Sequence, residues 1–136
     1  MKNLVIIFII CSFFNLGLHA QAEKTIVKSV DLKGNVAVAA LFTENATISE
    51  WDKDFVRITV KINLSNASES ILDRLVLVGR YEILALAEDG EMKLFMPKVD
   101  TKVFLKGVEL DERFSYEIFV PKKVSIRLDA LSVVGI

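Results

Sequence analysis

Cysteine and histidine occur once each, as Cys11 and His19, and both fall within the first twenty residues. Without that stretch the chain has neither. Their lack excludes disulfides, thiolate chemistry, zinc sites built on Cys or His, and every histidine-based acid/base arrangement. An excess of one charge is lacking as well: 17 basic residues stand against 18 acidic ones. Removing Lys2 with the leader leaves a net charge of −2. A nucleic-acid binder needs a clustered basic face to displace counterions, and nothing of that kind is visible. Serines are plentiful, but none sits in a Gly-x-Ser-x-Gly or Ser-x-x-Lys setting, so nucleophilic catalysis has no support. No catalytic, cofactor-binding or metal residue is assigned, and no cofactor is expected.

Residues 1–22 read as a secretory leader. Lys2 supplies the positive start, residues 4–14 are apolar except for Ser12, and residues 15–22 turn small and polar. A transmembrane anchor needs about 20 consecutive apolar residues, and Asn15, Gly17 and His19 interrupt the run first. Cleavage is expected after Ala20 or after Ala22, the latter fitting the small-x-small rule in Ala20-Gln21-Ala22. Cys11 sits within the apolar run rather than at its end, which argues against a lipoprotein. The expected organisation is a signal peptide over 1–20 (or 1–22) and a single β-rich domain over 23–136. About 115 residues suffice for one domain with one core. Exported without cysteines, that domain depends on its core for stability.

The clearest periodic signal is Val56, Ile58, Val60, Ile62 and Leu64 alternating with Arg57, Thr59, Lys61 and Asn63, the period-two pattern of a strand with one wet face. Residues 26–32 alternate more loosely, and residues 36–42 are apolar on both faces, as in a buried strand. A short strand is expected over 47–50, followed by a polar corner over 51–54. Ser68 can cap a helix near residues 68–77, with Ile71, Leu72, Leu75 and Val76 on one side. Residues 81–87 and 92–96 read as strands joined by a hairpin at Asp89-Gly90. A short strand over 103–105, a turn over 111–113 and a strand over 114–120 follow, before Val124, Ile126 and Leu128 alternate again. About eight short strands and one helix indicate an all-β fold, either a mainly antiparallel sandwich or a short β-solenoid.

Several residue groups invite a chemical reading beside a plainer one. Asp52 and Asp54, with Glu50 nearby, could hold a hard cation, but calcium takes 6 to 8 oxygen ligands and a solvated turn accounts for them. Glu88, Asp89 and Glu91 raise the same idea, and the Asp-Gly hairpin explains them without a metal. Asp111 and Glu112 could be proposed as a glycosidase-like pair, yet adjacent side chains in a strand or turn point apart. Trp51 could stack on a sugar ring; packing over a sheet edge is the commoner use of a lone Trp. Trp51, Asp52 and Asp54 are therefore read as a surface or structural turn. Asn45, Asn63 and Asn66 each begin an Asn-x-Ser/Thr acceptor triplet, which turn-forming Asn also explains.

The order Gly34-Asn35-Val36, then Ile48-Ser49-Glu50-Trp51-Asp52-Lys53-Asp54-Phe55-Val56-Arg57-Ile58-Thr59-Val60, resembles the opening of the secreted bacterial putative-adhesin family, related to head GIN-domain proteins. Phe119-Val120-Pro121-Lys122-Lys123-Val124-Ser125-Ile126 is similar to that family's valine-proline entry into its repeating strands. The resemblance implies an all-β envelope protein of a Gram-negative bacterium, with no catalytic residues to transfer. The expected function is thus a non-enzymatic exported binding or adhesin-like β-domain of the cell envelope or surface. Its expected partner is an envelope protein or glycan, with no stable transmembrane span after cleavage. The alternatives are a carboxylate-only hydrolase or carbohydrate-active enzyme, and a self-associating structural subunit. Expected locations are the periplasm, the outer surface or the extracellular space.

Overall fold

A computed structural model describes residues 21–42 and 46–129. The leader with Ala20, the acceptor Asn45 and the apolar tail over 131–136 lie outside the described residues. The strands are β1 (Ala22–Val30), β2 (Ala37–Ala40), β3 (Ala46–Trp51), β4 (Val56–Leu64), β5 (Leu84–Glu88), β6 (Glu91–Phe95), β7 (Phe104–Leu105), β8 (Val108–Glu109), β9 (Glu112–Pro121) and β10 (Ser125–Leu128). One helix, α1 (Glu69–Leu77), separates β4 from β5. The fold is all-β with a single short helix.

The strands form two four-stranded sheets, ordered β1-β4-β9-β3 and β10-β2-β6-β5, and a small β7-β8 hairpin. In the first sheet β4 pairs antiparallel with β1 and β9, and β3 adds parallel to β9. In the second, β2 runs parallel to both neighbours and only the β5-β6 hairpin is antiparallel. The strong alternation of β4 has a direct outcome. Val56, Ile58, Val60, Ile62 and Leu64 are all at most 1% exposed, while Arg57, Thr59, Lys61 and Asn63 face outward. Tyr116, Ile118 and Val120 of β9 point inward beside them, and Val38, Met92 and Leu94 of the second sheet belong to the same core cluster. The inner faces of both sheets thus share one apolar layer, the arrangement of a sandwich.

One ring contact and one shared depression show how the sheets stack. Phe42, just past β2, lies with its ring centroid 4.4 Å from that of Tyr116 on β9. Ala85 and Ala87 of β5 share a surface depression of about 210 Å³ with Lys28 and Val30 of β1. With β9 over β2 and β1 over β5, the open edges β3 and β10 fall at the same end of the sandwich.

Local chemistry sets the ends of the elements. Ser68 caps α1, accepting from the Ile71 amide at 3.4 Å. At the other end Gly79 takes φ 80°, Gly79 N donates to Val76 O, and Arg80 N donates to Leu75 O. This is a Schellman cap, which needs a residue able to adopt the left-handed conformation at that position. The β5-β6 turn places Asp89 at φ 54° and Gly90 at φ 76°, as a two-residue hairpin with right-handed strand twist requires.

The sequence pattern misplaced some boundaries. Tyr81 and Ile83 are buried but precede β5; their apolar spacing reports core contact made from a connecting segment. Glu112 and Arg113 open β9 instead of forming a turn. Charged residues masked the start of that strand, because Glu112 is nearly buried through an ion pair.

Candidate functional site

The outer face of the first sheet is built from alternate residues of four strands. Register places Thr25 opposite Lys61 and Lys61 opposite Ser115; in the next row Val27, Thr59, Glu117 and Thr47 run across all four strands. A shallow trough of about 580 Å³ on this face is lined by Thr25, Thr47, Thr59, Lys61, Ser115, Tyr116 and Glu117. Thr25, Thr47, Lys61, Ser115 and Glu117 are exposed. The four hydroxyls make no side-chain hydrogen bond within the described residues, whereas Lys61 pairs with Glu23 at 3.3 Å. A flat row of unspent donors and acceptors is suited to a hydrogen-bonding ligand laid along the sheet.

The same face continues into an aromatic cluster. Trp51, the last residue of β3, meets Phe119 of β9 with centroids 5.3 Å apart and Phe55 edge-on at 4.9 Å. Its indole Nε1 donates to Phe55 O at 2.8 Å. Trp51 is half-buried and packs at the sheet edge, with its polar atom satisfied internally. Asp52 and Asp54 are exposed in the adjoining corner. Among the described residues no group of three or more His, Cys, Asp or Glu side chains is placed to hold a metal ion.

A second depression, of about 450 Å³, lies where Arg80, the start of β9 and the β7-β8 segment meet. Its lining includes Arg80, Lys102, Glu109, Asp111 and Glu112. Asp111 accepts from the Ser65 hydroxyl, and its backbone amide donates to Asn66 Oδ1. Glu112 receives Arg80 Nη2 at 2.5 Å, Arg80 Nε at 2.9 Å and the Tyr81 hydroxyl at 2.6 Å. The two carboxyl groups considered as an acid/base pair are thus each engaged with a different partner. Arg80, only 6% exposed, also donates through Nη1 to the carbonyls of Lys98 and Thr101 at 3.0 and 2.9 Å. The Glu112 hydrogen bond outweighs burial and holds the Arg80 pKa above its ordinary value. Burial first, then the hydrogen bond to Glu112, pushes the Tyr81 hydroxyl well above the usual phenol range. Arg80 thus fixes the segment after β6 to the helix cap and to β9, while Asp111 ties the start of β9 to Ser65 and Asn66.

The other residues singled out in the sequence lie apart. Glu88 pairs with Lys93 at 3.1 Å, and Glu91 with Arg127 across β2 at 2.7 Å. Glu91 is held below its usual range by the Arg127 hydrogen bond. Asn66 bridges to Glu109 O and the Asp111 amide, a long-range tie to the start of β9 in place of a local turn bond. Ala22 is buried and paired with Leu64.

Sequence reasoning missed both the trough and the Arg80 network. The trough is a product of register between strands distant in the chain. Arg80 carried a local signal, since a charge placed directly after a helix-ending glycine is aimed by the Schellman cap.

No family model matches the chain, and no curated protein matches it. A solved structure described as a "putative cell adhesion protein" from Clostridium sporogenes superposes with a TM-score of 0.42 at 13% identity, covering 78% of this chain and 45% of that one. The chain therefore spans less than half the length of that protein. Among the described residues no helix is long and apolar enough to cross a membrane.

Proposed function

We propose that the chain is an exported, non-enzymatic binding domain of the cell envelope, adhesin-like in the sense that it holds a ligand on a sheet face. The observation that carries this reading is the trough on the outer face of the first sheet, where the side-chain hydroxyls of Thr25, Thr47, Thr59 and Ser115 make no hydrogen bond within the described residues. The leader pattern of residues 1–22 supports export. Two experiments test the two parts. Secreted protein should have an intact mass beginning at Gln21 or Glu23; a mass retaining Met1 rejects export. Purified protein should co-sediment with isolated envelope material, and Thr59→Glu or Thr47→Glu should abolish that without lowering the melting temperature. Wild-type protein that stays in the supernatant rejects the binding role.

A second reading has its own observation. Among the described residues β3 and β10 are edge strands with unpaired backbone groups at one end of the sandwich, where further strands could add. A self-associating subunit would show a sedimentation coefficient that rises with concentration; one that stays constant discards this reading.

A further inference from the structure

Beside the trough, Arg57 is clamped by rings. Its guanidinium carbon lies 5.0 Å from the Trp51 ring centroid and 4.9 Å from that of Phe119. Nε is buried and has no hydrogen-bond partner within the described residues. No described carboxylate makes an ion pair with Arg57; Glu117, one row away, faces Thr59 and Thr47 across the ladders. A guanidinium is planar and weakly hydrated, so two ring faces can hold it without neutralising its charge. The rings are themselves fixed: Trp51 Nε1 is bonded to Phe55 O, and the Phe55 ring braces the indole edge-on. The rotamer freedom an arginine ordinarily loses on binding is therefore already lost on folding. Register also sets Ser29 and Ser49 in the same cross-strand row, Ser29 opposite Arg57 and Ser49 opposite Phe119.

We propose that Arg57 is the anion-recognising residue of the outer face and that the ligand is an acidic oligosaccharide. Its carboxylate is received by the guanidinium while its hydroxyls lie along Thr59, Lys61 and Ser115. This inference rests on the outer-face reading above. An arginine held against two rings, with no partner for Nη1 and Nη2 within the described residues, can present these two nitrogens to a carboxylate. The chemistry of the trough selects a sugar over an acidic peptide. Extended peptides join sheets at open edges, whereas Arg57, Thr59, Lys61, Ser115 and Glu117 lie on β4 and β9, whose backbone groups are committed to ladders on both sides; the edge strands β1 and β3 contribute only Thr25, Thr47 and Trp51. The side chains that line the trough carry hydroxyl, ammonium and carboxylate groups between the apolar parts of Thr25, Thr47, Thr59 and Tyr116, the mixed surface that the polar rim and apolar face of a sugar ring both meet. Sugar hydroxyls, which both donate and accept, suit Thr, Ser, Lys and Glu side chains, so Glu117 can accept from the same ligand whose carboxylate Arg57 binds.

Trp51 is the sole tryptophan in the sequence, so intrinsic fluorescence reads this site directly. Full-length secreted protein is titrated with trigalacturonate, with neutral galactotriose and with a hexaglutamate peptide. Trigalacturonate is expected to shift Trp51 emission and to bind more tightly than galactotriose. Arg57→Gln should weaken trigalacturonate binding by about tenfold or more, the scale of a charge-assisted contact, and leave galactotriose unchanged. Arg57→Lys, which keeps the charge and the fold but loses the planar fork, should fall between the two. Equal affinity for the acidic and neutral sugars, insensitive to both substitutions, overturns the role of Arg57 and leaves the outer face as a sugar site. Tighter binding of hexaglutamate overturns the choice of sugar. Failure of all three probes to bind overturns this inference, and loss of envelope binding by Thr59→Glu would then show the outer-face reading standing without it.

Discussion

Arg80 is the one charged residue among those described that is buried, and its surroundings show what keeps a charge inside a small β-domain. Its side chain and that of Glu112 are only 7% and 10% exposed, with two nitrogen–oxygen contacts between them. Removing one partner leaves the other charge buried and unpaired, so Glu112→Ala is expected to cost about 3–5 kcal/mol in urea unfolding. Adding Arg80→Met should restore part of that loss. It cannot restore all of it, because the carbonyls of Lys98 and Thr101 lose their donor. Tyr81 adds a pH dependence. Its hydroxyl holds its proton more firmly in the folded state than in the unfolded chain, so its contribution is complete below the ordinary phenol value of about 10 and is lost as pH rises through the raised folded value. Between about pH 9 and pH 11 the unfolding free energy of the wild type should therefore fall more steeply than that of Tyr81→Phe. Parallel slopes would remove Tyr81 from the account.

At the scale of elements, what was legible in the sequence depended on whether the signal was local. β4 could be read in full from its alternation, as could α1 from Ser68 and its apolar side, and the β5-β6 hairpin from Asp89-Gly90. Each of these is specified within about ten residues. The parallel pairings of β3 with β9 and of β2 with β10 were not legible, because nothing near Ser125 records that it will lie opposite Ala37. The site inherits that limit. Trp51 could be singled out by type, but its role as a clamp on Arg57 depends on Phe119 arriving from β9. The local devices remain measurable. Ser68→Ala removes a cap and should cost about 1 kcal/mol. Leu72→Ala, at a fully buried position on the same helix, should cost about 2–5 kcal/mol. If the two substitutions proved equal, the helix would be held by its cap more than by its packing on the core.

For the whole molecule, the order in which the chain visits the sheets decides how it comes apart. It runs from the first sheet to the second and back for β3 and β4, crosses again for β5 and β6, and returns for β9 before ending in β10. No contiguous stretch contains one sheet without strands of the other. Ile118 from one sheet and Leu94 from the other are both fully buried in the shared core. Neither sheet can then melt while the other retains its inner face. Ile118→Ala and Leu94→Ala should each cost about 2–5 kcal/mol, and each should do so in a single transition. Two probes see different parts of the molecule. Trp51 fluorescence reports the open end of the first sheet, and far-ultraviolet circular dichroism reports the strands of both. Their urea midpoints should coincide in the wild type and move together in both variants. Leu94→Ala is the sharper case, since its cavity lies in the second sheet while the fluorophore sits in the first. A dichroism transition that ran ahead of Trp51 in that variant would mean that the sheets hold separate stabilities despite their common core. The outer face of the first sheet would then survive the loss of the sheet beneath it.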